Sequence, residues 1–185
     1  MFELNMDKTS WLNFVKEITK PNNYEETCAW LYIDTPFESN YKIYVYPVKN
    51  IGLPGESTRD TFSPDKKDFR RVKKEITKLG LTKIGNLHTH VLSPKDWWLK
   101  QNSPVQTDID AFSLPSGRDL KFARKFNDVL RGILTIVFYE HDEKGYLVRI
   151  VFHNKYGIVL SKIALPNGYN PDIFNLRPVN VRLIE

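Results

Sequence analysis

Two histidines one residue apart, His88 and His90, close the apolar run Gly85-Asn86-Leu87-His88-Thr89-His90. A loop follows, and then a carboxylate, Asp108, with Asp110 just beyond it. On an extended segment residues i and i+2 point to the same face, so both imidazoles leave one side of a strand end. One carboxylate delivered from a nearby helix start would complete a set of three protein ligands. Three is the ligand count of a catalytic zinc, which keeps its fourth position for water. The lone cysteine, Cys28, excludes a cysteine-rich site, so a metal here must rest on His and carboxylate donors.

The elements around this stretch read in order. Residues 7–20 place Trp11, Phe14, Val15 and Ile18 at helical spacing, and Pro21-Asn22-Asn23 ends the helix. Residues 26–35 and 41–51 are rich in aromatic and β-branched side chains and read as an antiparallel hairpin. A loop spans 52–62, and Ser63-Pro64-Asp65 opens a long helix with Ser63 as cap and Pro64 in the first turn. The inward stripe of that helix is Phe69, Val72, Ile76 and Leu79, with Lys78 and Gly80 at its end. Its outer face is strongly basic. The favoured reading is a solvated face, and the competing one is a dock for an acidic partner.

Residues 81–90 form the strand that ends in the histidine pair. A helical segment starts at Asp108, breaks over Leu114-Pro115-Ser116-Gly117 and resumes from Asp119 to Val129. Three strands follow, at 132–139, 146–153 and 157–165, and the tail from Pro166 shows little periodicity. The order predicts one domain over 1–185, α+β or α/β, with helices packed on a mixed sheet. A single cysteine excludes an internal disulfide and fits a reducing, cytoplasmic setting. The residues at the start lack the features of a signal peptide, and no apolar run reaches membrane-spanning length. The formal net charge of +5 permits an acidic partner without requiring one, and nothing points specifically to nucleic acid.

His-x-His followed by a Pro-x-x-x-Asp-Ile element resembles the zinc site of the JAMM (MPN/JAB1) metalloproteases. In that family His-x-His is followed by Pro-Ser-x-x-Asp, and a catalytic glutamate lies upstream in a Glu-x-x-Gly-x-Leu setting. Glu26-Thr27-Cys28-Ala29-Trp30-Leu31 fills that place, with Ala29 at the glycine. The resemblance covers residues 24 to 130 in order of elements, and it looks like the stand-alone prokaryotic or viral members. It implies a single MPN/JAB domain of layered, cytidine-deaminase-like architecture. It further implies that His88, His90 and Asp108 hold Zn²⁺ and that Glu26 is the general base for hydrolysis of an amide or isopeptide bond. The implied partner is a protein or peptide substrate, of the ubiquitin-like type in some family members.

Two features depart from the pattern. Seventeen residues separate His90 from Asp108, a spacer longer than the family's, and it holds Trp97-Trp98. That pair reads as a substrate flap or as packing under the loop. The family serine three residues before the aspartate is Val105, so Ser103 or Thr107 would have to serve the developing oxyanion. A rival register pairs Thr107 with Asp110. His141 and His153 read as surface or turn residues, and Cys28 as buried packing. Two other functions compete: a non-catalytic MPN-like scaffold, and a PHP or barrel amidohydrolase, which Leu-His-Thr-His also resembles. The barrel needs about 250 residues and its motif on the first strand.

Overall fold

The computed structural model describes residues 4–36, 40–57, 63–94, 106–165 and 181–184, with the side chains of 106–108 and 181–184 left aside. Within these, eight strands form one sheet in the order β7-β6-β5-β4-β2-β3-β1-β8. The strands are β1 (Leu4–Asp7), β2 (Cys28–Ile33), β3 (Ile43–Val48), β4 (Thr82–Leu92), β5 (Leu130–Phe138), β6 (Gly145–His153), β7 (Val159–Ala164) and β8 (Val181–Ile184). The helices are α1 (Lys8–Ile18), α2 (Lys66–Leu79), α3 (Gln106–Phe112) and α4 (Gly117–Lys125). The expected mixed sheet with helices on it is therefore what the chain forms.

β2 pairs antiparallel with both β3 and β4, while β4 runs parallel to β5. That parallel pair puts α3 and α4 into the crossover between β4 and β5, which is why both helices lie near the end of the histidine strand. Gly85 allows the close approach where the pair begins: a Cβ there would lie 1.5 Å from the carbonyl oxygen of Leu130.

Alternation along β2 and β4 separates the two faces. Ala29, Leu31 and Leu87 point into the larger core with Trp11, Phe14, Val15 and Ile18 of α1. Trp30 and Tyr32 point the other way, toward Val72, Ile76 and Phe69 of α2 and Phe122 and Phe126 of α4. Trp30 is fully buried, with the Phe69 and Phe126 rings 5.6 and 5.7 Å away and the Lys83 ammonium 3.9 Å above it. It joins both helices to the sheet. Trp30→Ala is expected to destabilise the fold by about 3–5 kcal/mol, read from a denaturant titration.

Several local readings are corrected. Asp65, not Ser63, caps α2: its side chain accepts from the Lys67 and Asp68 amides, while Pro64 sits just outside in a bridge to Asn50. Gly80 closes α2 in the left-handed conformation, as expected. Leu79, the last residue of α2, is 62% exposed rather than inward. The short strands β1 and β8 had no counterpart in the sequence reading; they pair parallel to each other at the sheet edge.

Candidate metal centre

His88 and His90 leave the α2/α4 face of the sheet near the end of β4. His88 is 1% exposed. The carboxylate that joins them is Asp119, in the first turn of α4. Its Oδ1 lies 3.1 Å from His88 Nε2 and its Oδ2 3.5 Å from His90 Nε2. One donor atom from each of the three residues falls within 4.8 Å of the others. Donors about 2.0–2.1 Å from a tetrahedral zinc stand about 3.3–3.4 Å apart, so these contacts bracket the spacing zinc requires.

The local sequence explains why Asp119 is held there. Ser116 caps α4 by accepting from the Asp119 amide at 3.1 Å, and Asp119 Oδ2 accepts from the Ser116 amide at 2.7 Å. This reciprocal capping box fixes the Asp119 rotamer. From below, the guanidinium of Arg131, 2% exposed, donates to the Asp119 main-chain carbonyl, and its Nε donates to Asn86 Oδ1 at 2.9 Å. Asn86 and Lys83 in turn donate to Asp128, at 3.3 and 2.8 Å. The buried polar chain ties the start of α4 to β4 and β5.

His90 is oriented by α3. Its Nδ1 lies 2.6 Å from the Phe112 carbonyl oxygen, so Nδ1–H donates and Nε2 is the nitrogen turned to Asp119. His88 differs: although its Nε2 is close to Asp119, neither ring nitrogen has a well-directed hydrogen bond among the described residues. A buried imidazole with both nitrogens unsatisfied is costly in isolation and is what a metal ligand looks like before the metal is counted. The donor set therefore fits a divalent cation that accepts nitrogen and oxygen.

Electrostatics agree with the geometry. Burial pushes His88 down to about 4, with the Asp119 charge opposing, so the ring is neutral at ordinary pH and ready to donate. Burial also works against the charged form of His90, but the hydrogen bond and charge of Asp119 outweigh it and raise that ring. Burial alone would raise Asp119; its closeness to the His88 and His90 imidazoles instead holds it well below the usual carboxylate range.

Glu26 is half-buried just before β2. Thr89 N donates to Thr27 O at 2.9 Å and Thr27 N donates to Thr89 Oγ1 at 2.8 Å, extending the β2–β4 ladder by one pair. The Glu26 charge is near enough to contribute, after Asp119 and Phe112, to raising the His90 ring. Asn50 Nδ2 donates to the Glu26 carbonyl at 2.9 Å, anchoring its main chain.

Asp119 thus stands where the sequence reading put Asp108. Asp108 and Thr107 lie on α3 with side chains outside the described residues. Ser103, Val105 and Trp97-Trp98 lie outside them altogether. Asp110, the rival ligand, is turned away and pairs with Arg149 and with Lys162 at 3.1 Å. Cys28 is buried, and burial pushes its thiol up, which fits packing rather than reactivity. His141 is exposed in a turn. His153 is not a surface residue: it is fully buried at the end of β6, with Nδ1 2.7 Å from the Asn154 carbonyl oxygen. The signal for Asp119 was present in the chain. Pro115-Ser116-Gly117-Arg118-Asp119 spells Pro-Ser-x-x-Asp without a mismatch, with 28 residues between His90 and Asp119.

No family model matches the chain. The solution structure of protein DSY2949 from Desulfitobacterium hafniense is similar, with TM-score 0.50 and 19% identity over 87% of this chain and 90% of that one. At that identity the likeness bears on the fold alone. The crystal structure of AF2198, a JAB1/MPN domain protein from Archaeoglobus fulgidus, aligns with TM-score 0.43 and 14% identity, covering 86% of this chain and 94% of that one. A probable beta-hexosaminidase of Arthroderma benhamiae is 31% identical over 90 residues, 49% of this chain. The chain spans only 13% of that relative's length. No helix among the described residues is long and apolar enough to cross a membrane.

Proposed function

We propose that the chain is a zinc-dependent JAMM-type metallopeptidase that hydrolyses an amide or isopeptide bond of a protein substrate. The observation that carries this reading is the meeting of His88, His90 and Asp119 in one cluster, with Asp119 at the end of a complete Pro-Ser-x-x-Asp segment. His88 Nε2, His90 Nε2 and the Asp119 carboxylate would hold the zinc. Zinc bound there supplies Lewis acidity, lowering the pKa of a water and polarising a carbonyl.

The remaining work falls to this chain's own groups. The Glu26 carboxylate takes a proton from the attacking water and returns it to the departing amine. Ser116 Oγ accepts from the Asp119 amide, which leaves its own hydroxyl hydrogen free to donate to the oxygen that develops negative charge. The α3 carbonyl of Phe112 and the capping box on α4 keep His90 and Asp119 from reorienting as charge moves.

Val105 at the expected serine position favoured a scaffold reading; Ser116, three residues before Asp119, removes that argument. The amidohydrolase reading lacks ligands, because neither His141 nor His153 joins the His88, His90 and Asp119 cluster among the described residues. Purified chain is expected to hold one zinc per molecule by elemental analysis. Cleavage of a ubiquitin-like fusion should stop on chelation and return with zinc. A chain that holds no zinc after zinc loading would be a scaffold.

A further inference from the structure

The net positive charge is concentrated on the two helices on the site's face of the sheet. α2 has seven basic residues and two acidic ones, and α4 has four and one. Together they stand at +8, while the whole chain is +5, so the remainder is −3. The charge is also sorted around α2. Its two carboxylates, Asp68 and Glu75, lie on one flank, where Arg71 binds both at 2.7 and 3.0 Å. Lys66, Lys67, Arg70, Lys73, Lys74 and Lys78 point outward and are exposed. Lys121, Arg124 and Lys125 of α4 are exposed too. Trp30 meets Phe69 of α2 edge-on and Phe126, at the end of α4, at a tilt, so both helices pack over the same strand.

From this arrangement we infer that the α2/α4 layer docks an acidic protein surface and delivers it to the metal centre. That the docked protein is a substrate rests on the proposed peptidase reading. The direction of delivery follows from α4, whose first turn holds Asp119 at one end while its basic residues continue the charged surface at the other. A field of one sign over roughly 20 Å of helix exceeds the Debye length of about 8 Å and favours encounter with an oppositely charged partner.

The surroundings favour protein over nucleic acid. At the C-terminal end of α4, Val129, Tyr156 and Ile158 are 59%, 67% and 59% exposed. Lys155 Nζ to Asn127 at 2.6 Å, and the closeness of Gly157 to Leu120, hold that apolar group against the helix. Aliphatic and aromatic side chains beside cations match a protein surface, whereas a phosphodiester backbone has no apolar face to set on them.

The test uses poly-L-glutamate as probe, with a duplex oligonucleotide of equal charge beside it, on the full chain with and without zinc. The triple variant Lys67→Glu, Arg70→Glu, Lys74→Glu is expected to lose at least about tenfold in affinity for polyglutamate. The variant Lys16→Glu, Lys20→Glu, Lys144→Glu has the same net charge and should stay near wild type. Equal losses in the two variants would mean net charge alone is read. Tighter binding of the duplex, lost in the first variant, would assign the face to nucleic acid. Either outcome overturns the inference, as does a wild-type chain that binds neither probe. The neutral variant Lys67→Gln, Arg70→Gln, Lys74→Gln, set against Lys16→Gln, Lys20→Gln, Lys144→Gln, gives the same comparison should charge reversal unfold α2. Polyglutamate binding needs no zinc, so a chain that binds the probe yet cleaves nothing refutes the peptidase and leaves the dock standing.

Discussion

Asp119→Asn is expected to strip the chain of its metal, while Asp108→Asn should leave metal content unchanged. Asparagine keeps the shape of the side chain and can still meet the Ser116 amide, so the capping box and α4 should survive. What it removes is the anionic donor 3.1 and 3.5 Å from the two imidazole nitrogens. Groups that merely support a ligand typically cost about 10–100-fold in affinity when mutated, so a direct ligand should cost more than about a hundredfold. Competition with a chromophoric chelator measures this. If Asp119→Asn held zinc normally and Asp108→Asn lost it, the carboxylate ligand would return to α3.

The second large effect belongs to Glu26→Gln. The variant should retain one zinc per chain and lose about 10²–10⁴ in kcat, the usual worth of a positioned proton acceptor. Glutamine preserves volume and can still be anchored through its carbonyl by Asn50, so folding should be unaffected. The pairing of full metal content with lost turnover separates a proton carrier from a ligand. Ordinary turnover in this variant would remove Glu26 from the mechanism.

Much of the fold could be read directly from residue patterns. Alternating aromatic and β-branched residues marked β2 and β3, and helical spacing marked α1. The capped, basic run marked α2, and the two histidines were correctly placed on one strand face. β1 and β8 escaped because four residues cannot display a period, and their partners lie at opposite ends of the chain. The carboxylate of the cluster escaped for a different reason. Of the two helical segments after the histidine strand, the first offers two aspartates before the motif at Pro115–Asp119 is reached. Position along the chain favours the nearer carboxylates, whereas the Pro-Ser-x-x-Asp pattern and the closeness of Asp119 to both imidazoles single it out. His153 was misjudged because a histidine beside a turn usually sees solvent, whereas this one ends a strand buried along nearly its whole length.

The proton on His90 is fixed by a main-chain oxygen, that of Phe112. Such an acceptor survives every side-chain replacement at its own position and does not titrate. The α3 sequence can therefore drift without disturbing the imidazole tautomer, provided the helix keeps its place. Asp119 has no comparable protection, since both its donor role and its capping role reside in a single carboxylate. Mutational tolerance across this centre should accordingly be lopsided, permissive on the α3 side and strict on the α4 side.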